Sequence, residues 1–322
     1  MTDFTSLFVA GVPIIGGGGF ATFGKSIFVD KERGSDSFDG LSMKVNGGSG
    51  PKETYLAAYN LADSGNHDFI YLSSEGAHVI SDEIAWTKSR VHTVALPYMG
   101  VRYGQRARFE MGVTTGTAIA IIQNTGTGNT WHGVKFRSVD TLATSLYTFA
   151  DGGEFTILDG CSFEKDALLS TATVAELLAN GDTATYRNCS FGNGIYTVAA
   201  ARQNVLFTRE TITGKVARSN RFEDCSVLSR CNDAAFVNCR ATVNDLERDV
   251  VFEDCEFIAV KTSPATQADV FGIASALTDA RILLKGDCFV DNIAEVASVA
   301  GVFVNGSIGA AQDNGLLGVA VT

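Results

Sequence analysis

The sequence predicts an all-β protein: a parallel β-helix, a solenoid whose turns of chain stack on one another, with a short N-terminal capping helix. Three observations predict it. A short phrase recurs: an aromatic residue, any residue, Asn or Asp, then Cys. Equivalent positions return at steps of about 27 to 36 residues, inside the range of solenoid repeats. Helix formers are not prominent, and there are 34 Gly against 4 Pro.

The phrase stands at Tyr186-Arg187-Asn188-Cys189, Phe222-Glu223-Asp224-Cys225, Phe236-Val237-Asn238-Cys239 and Phe252-Glu253-Asp254-Cys255. In three copies an apolar residue follows two positions after the Cys: Phe191, Val227 and Phe257. All three positions must face a core, yet strand side chains alternate with period two. The aromatic and the Cys are three apart, so the chain must bend between them. Asn and Asp tolerate the left-handed backbone that makes such a bend. Looser copies are Trp131-His132-Gly133-Val134, where Gly turns the corner, and two with one extra corner residue, Ile157-Leu158-Asp159-Gly160-Cys161 and Leu284-Lys285-Gly286-Asp287-Cys288. Val134, Cys161, Cys189, Cys225, Cys255 and Cys288 are thus equivalent core positions, at steps of 27, 28, 36, 30 and 33 residues. Cys239 falls within one step and is expected on another face of the coil. Unequal steps imply loops of differing length at the corners.

The chain has 322 residues, and a solenoid of that length need not split into domains, because it grows in one dimension. A net charge of −11 excludes a general nucleic-acid binder. Seven cysteines, an odd number, read as reduced, buried small hydrophobes suited to assembly in a reducing cytoplasm. No Cys–His spacing suits zinc, and the four histidines are scattered. No metal or cofactor is expected. No basic leader precedes the first apolar stretch, and no apolar run is long enough to span a membrane.

Residues 1–24 form an apolar, Gly-rich arm with a flexible joint at the four glycines 16–19. It either folds back on the first coil or docks on another subunit. Residues 25–66 carry a first strand, an acidic turn and a helix. Asp36 and Asp39 lie in a Gly-flanked segment that reads as an Asx-type turn rather than a Ca²⁺ loop, since no EF-hand Glu follows. Residues 51–62 predict the capping helix, with Pro51 at the first helical position and Tyr55, Leu56, Tyr59 and Ala62 as its apolar stripe. Residues 67–292 predict the β-helix, with strands at 69–72, 78–80, 91–96 and 118–122. Arg102, Arg106 and Arg108 form a basic patch, read as a solvated coil face or a contact for an acidic partner or saccharide. Residues 293–322 hold only two charged side chains, Glu295 and Asp313, and read as an apolar cap or oligomerisation segment.

The run Phe28-Val29-Asp30, Gly34-Ser35-Asp36-Ser37-Phe38-Asp39-Gly40-Leu41-Ser42, Pro51 with its helix, and Phe69-Ile70-Tyr71-Leu72 resembles the opening of right-handed parallel β-helix proteins of the pectin-lyase-like class. The arm Thr5-Ser6-Leu7-Phe8-Val9-Ala10-Gly11-Val12-Pro13 is similar to that of proteins encoded beside capsid genes in tailed phages. The resemblance implies the fold more strongly than the function, because enzymes and virion proteins share it. The clustered Ca²⁺ carboxylates and catalytic Arg of the lyases do not appear, nor do the hydrolase signatures of polygalacturonases. The repeated acidic pairs Glu223-Asp224 and Glu253-Asp254 occupy one corner on stacked coils, where a repeat places them without any chemistry.

Two functions follow as expectations. The first is a non-enzymatic virion protein, a rigid, trimeric projection assembled in the host cytoplasm that decorates or cements the capsid. Its partners would be the major capsid protein and copies of itself, without nucleic acid or membrane. Leu7, Phe8, Val9, Val12, Ile14, Ile15, Arg102, Arg106 and Arg108 would make the capsid or subunit contacts, and no residue is assigned to catalysis. The alternative is a tailspike-type protein that binds or depolymerises host surface glycan through paired carboxylates. A cell-surface adhesin is a third, weaker reading.

Overall fold

The computed structural model describes residues 7–9, 12–14, 24–96, 107–111, 119–139, 146–166, 175–192, 203–207, 217–229, 236–239, 246–259, 269–273, 280–291, 293, 296–297, 302–304, 307–308 and 315–316. Among these residues three long sheets run side by side, of eleven, nine and seven strands. Neighbouring strands in each sheet are parallel and come from successive turns of chain, except for one short antiparallel strand at the far edge of each of the first two sheets. Each turn visits the sheets in order. Thr185–Arg187 lies in the first, Ser190–Phe191 in the second and Gln203–Phe207 in the third; Arg221–Glu223 then returns to the first. The fold is a three-sided parallel β-helix.

The recurring phrase marks the corner between the first and second sheets. Gly133, Gly160, Asn188, Asp224, Asp254 and Gly286 all have φ between 50° and 67°. This left-handed step lets residues three apart both point inward. The corner N–H of Asn188 donates to the Glu223 carbonyl of the next coil at 2.9 Å, and that of Asp224 to Glu253 at 3.0 Å. Val134, Cys161, Cys189, Cys225, Cys255 and Cys288 follow the turn and are buried. Each thiol leans on a carbonyl of the preceding coil; Cys189 Sγ donates to Leu158 at 3.3 Å and Cys225 Sγ to Tyr186 at 3.3 Å. Burial raises the Cys189, Cys225 and Cys255 thiols well above the ordinary range, so they remain protonated fillers.

Two details of the repeat differ from the sequence reading. The strand Ile157–Asp159 pairs Leu158 with Tyr186 and Asp159 with Arg187, so Leu158 takes the aromatic's place and no residue is extra there. Ile157 is instead on the outer face. Of the two copies read with an extra residue, the one at Gly286 and Asp287 carries an insertion, because Lys285 pairs with Glu253 and Phe289 with Glu256. The copy at 236–239 lies on another face of the coil, as its spacing implies, and is not a corner. Val237–Cys239 is a strand of the third sheet, in register with Val205–Phe207 and Phe271–Ile273.

The core is built from stacked rings. Phe136, Phe163 and Phe191 stack along the second sheet with centroids 5.2 and 5.1 Å apart. Tyr186, Phe222 and Phe252 stack along the first, at 4.6 and 4.4 Å. The spacing is that of neighbouring strands, so each ring packs on the equivalent ring one coil away.

A second left-handed column leads the chain into the first sheet at His67, Arg90, Gly128, Phe155, Thr183 and Ser219, and from Arg90 onward it turns the chain back from the third sheet. Behind it, the Asn129 carbonyl oxygen accepts from Val91 N–H at 3.0 Å and that of Asn220 accepts from Ala184 N–H at 3.0 Å. These side chains satisfy backbone groups that the corner removes from the ladders.

The helix is Tyr55–Leu61, shorter than expected. Thr54 is its N-cap, and its hydroxyl accepts from Ala57 N–H at 3.2 Å. Pro51 lies before the helix because Lys52 is held by the first strand, Ser26–Val29: Lys52 N–H donates to the Phe28 carbonyl at 2.8 Å. Tyr55, Ala58 and Tyr59 are buried, whereas Leu56 is exposed. Tyr55 lies against Trp86 and Phe109, and its hydroxyl meets Thr93 Oγ1 at 2.6 Å. The helix therefore plugs the end of the core. The Lys88 ammonium closes the helix C-terminus by donating to the carbonyls of Tyr59, Asn60 and Ala62.

Asp36 and Asp39 spend their oxygens on local donors. Asp36 accepts from the N–H groups of Glu53 and Thr54, and Asp39 from those of Leu41 and Gly50. The strand expected at 118–122 begins only at its last residue, as Ile122–Asn124. At the far end Val302–Val304 adds one more parallel strand to the first sheet, and Ser307–Ile308 and Gly315–Leu316 pair antiparallel on the sheet edges. The parallel coil thus reaches from the first strand at 26 to residue 304.

Candidate functional site

The outer face of the first sheet gathers most of the chemistry among the described residues. The strands that build it at the capped end are Ser26–Val29, Asp68–Ser73, Val91–Leu96, Thr130–His132, Ile157–Asp159 and Thr185–Arg187. Their register sets two outward columns. One holds Tyr71, Val94, His132, Asp159 and Arg187; the other holds Phe69, His92, Thr130, Ile157 and Thr185.

Rings occupy the capped end of this face. Phe28 stacks on Tyr71 at 5.3 Å, Phe69 lies 6.1 Å from Tyr71, and Phe69 tilts against His92 at 4.8 Å. His67, on the turn before the second strand, places Nδ1 3.0 Å from His92 Nε2, and His92 Nδ1 sits 2.9 Å from Thr130 Oγ1. Burial, followed by the neighbouring His67 and His132, lowers the His92 pKa to about 4. His92 is therefore a neutral imidazole at neutral pH.

A charged group adjoins the rings. Asp159 Oδ2 lies 3.5 Å from His132 Nδ1 and 3.1 Å from the Arg187 guanidinium, and its Oδ1 accepts from Asn188 Nδ2 at 3.3 Å. Burial pushes the Asp159 carboxyl up; His132, Arg187 and Asn188 outweigh it and hold the pKa below the usual value. The histidines that look scattered in the sequence thus include three, His67, His92 and His132, that share one face. Only register could reveal this, since they lie 25 and 40 residues apart.

The paired acids lie further along the same sheet. Arg221 binds Glu223 at 2.5 Å and also reaches Glu253 on the next coil. Asp254 Oδ1 accepts from Asp287 N–H at 2.7 Å. Glu223 and Glu253 lie on the sheet, and Asp224 and Asp254 turn the corner.

Arg108 lies on the second sheet, 3.1 Å from Glu110, which also binds Arg137 at 3.2 Å; Lys135 pairs with Glu164 at 2.7 Å. Among the described residues this face is a ladder of alternating charge. Arg102, Arg106 and Ile15 lie outside the described residues. Leu7, Phe8 and Val9 pair antiparallel with Ile14, Pro13 and Val12 as a two-stranded hairpin.

One further carboxyl is internal. Asp151 is fully buried and accepts from Asn124, Gly153, Thr156 and the Tyr186 hydroxyl, the last at 2.7 Å. Burial raises its pKa against these hydrogen bonds. It braces one corner from within and does not face solvent.

No protein-family model and no curated protein matches the chain. Solved structures do. A rhamnogalacturonan lyase aligns over 88% of this chain and 75% of its own, with a TM-score of 0.58 and 15% identity. Pectate lyase Pel9A aligns over 84% and 69%, at 0.55 and 14%. The pectin methylesterase of Aspergillus niger aligns over 92% and 93%, at 0.50 and 10%. At these identities the likeness is one of fold: the chain shares the right-handed parallel β-helix fold of these proteins.

Proposed function

We propose that this chain is a non-enzymatic structural protein of a tailed-phage virion, a stiff β-helical projection that decorates or cements the capsid as a homotrimer. The observation that carries the non-enzymatic part is the use made of the repeated acids. Glu223 and Glu253 share Arg221, and the Asp254 side chain holds the Asp287 backbone. General acid–base work on a glycoside needs two carboxyls with separated protonation behaviour and access to substrate. Carboxylates neutralised by a shared guanidinium serve the stack instead. The location rests on the resemblance of the arm, whose hairpin Leu7–Val9 with Val12–Ile14 would seat on the major capsid protein or a second copy.

The second reading is a polysaccharide-binding or depolymerising protein. The ring and histidine strip favours it: Phe28, Phe69, Tyr71 and His92 lie beside the His132–Asp159–Arg187 group, on a fold shared with proteins named as pectin-acting enzymes. Rings of this kind suit stacking on sugar faces.

Quantitative gel densitometry of tail-free heads against the major capsid protein separates the two. Hundreds of copies per head are expected from decoration. About a dozen or fewer, confined to the tail, would overturn it, and glycan cleavage should then be assayed with His132→Ala and Asp159→Asn.

A further inference from the structure

We propose that His67 and His92 form an acid-released latch that fastens the turn leaving the capping helix to the third rung of the first sheet. The placement is specific. The helix ends at Leu61, and the chain passes through the exposed turn 63–67 before entering the strand Asp68–Ser73. His67 sits at the end of that turn in a left-handed conformation, φ 58°. Its ring is nearly parallel to that of His92, 14° apart, with the two nitrogens facing at 3.0 Å. Two more contacts hold the same turn on the same neighbour: Gly65 N–H donates to the Ser89 carbonyl at 2.8 Å, and Ser89 N–H to Ser64 Oγ at 3.0 Å.

Facing nitrogens at this distance share one N–H. One must donate and the other must accept with a free lone pair. A single added proton leaves this bond intact, because the charged ring still donates to the neutral one. A second proton puts N–H against N–H and brings two positive charges together. The charged and titratable groups facing His92 offer no relief. They are His67 from the turn and His132 from the next strand, both of which disfavour its charged form. Phe69 and Thr130 complete its surroundings, and the Asp159 carboxylate is engaged with His132 and Arg187.

The sign follows from the imidazole. His92 is held below its ordinary value of 6.5, to about 4, so the released state takes up the proton first. The latch is at full strength above about 6.5 and weakens as the pH falls towards 4. Across that window the open population rises about tenfold per pH unit, if opening frees His92.

The test combines a proton NMR titration of the histidine ring protons with amide exchange at Gly65 and Ser89, corrected for intrinsic rates. His92 is expected to titrate near 4, with exchange at both amides accelerating as the pH is lowered. His92→Gln keeps a donor and an acceptor but cannot charge, and should remove the acceleration. His67→Asn should return the His92 titration towards 6.5. An ordinary His92 titration in the unaltered protein overturns the proposal. So does exchange at Gly65 and Ser89 that ignores pH, or an acid response that persists unchanged in His92→Gln.

Discussion

Asp224 illustrates what one residue contributes to this fold. Its φ of 50° re-aims the chain so that Phe222 and Cys225 both enter the core. A left-handed residue with a Cβ costs roughly 1–2 kcal/mol, least for Asn, Asp and Gly. Asp224→Gly should therefore cost less than Asp224→Val, which should lower stability by about 2 kcal/mol in a urea titration. Equal effects would remove the corner argument. The same rule explains what could be read in advance. Asn188, Asp224 and Asp254 advertise their corner because few residue types tolerate it. The second corner places Arg90, Phe155 and Thr183 in the same conformation, and such residues give no local signal. There the ladders on either side impose the backbone, and only Asn129 and Asn220 hint at it.

Among the elements, the capping helix shows tertiary pairing overriding local preference. Pro51 is a good first helical residue, yet the first strand claims Lys52, so the helix starts later at Tyr55, with Thr54 as its cap. Thr54 caps the helix and also holds the Asp36 carboxylate, its hydroxyl donating at 2.7 Å. Thr54→Ala should cost about 1 kcal/mol, whereas Thr54→Ser should cost little. Thermal melts of the two variants check this, and matching losses would show that the hydroxyl is not what matters. The helix was legible from its Tyr55–Tyr59 spacing; its inward side was only partly so, since Ala58 rather than Leu56 faces the core.

At the scale of the molecule, each coil touches mainly its neighbours, so a coil should be removable as a unit. Deleting residues 190–225 joins Cys189 to Ser226. Ser226 is the register partner of Ser190, so every sheet loses one rung and keeps its alignment. The shortened protein should retain its β circular dichroism and a cooperative melt. Deleting 190–207 removes two strands of one coil and leaves the third out of phase, and should abolish the melt. A deletion of 190–225 that fails to fold would argue against the nearest-neighbour picture. Stacking also explains why the architecture was readable and the outer face was not. A core phrase repeats along the chain, but His67, His92, His132 and Asp159 meet across coils of unequal length. Their meeting depends on strand register, which no local pattern encodes.

Lys52 gives the first coil one last property. Its ammonium donates to the carbonyls of Asp36, at 3.0 Å, and Phe38, inside the loop that covers the edge of the first strand. Converging carbonyls of this kind also suit a dissolved cation, which would come and go with its concentration. Here the cation is tethered, present at one equivalent per chain whatever the medium contains. Dilution cannot wash it out and a chelator cannot extract it, so the seam that starts the solenoid is sealed independently of the surrounding salts.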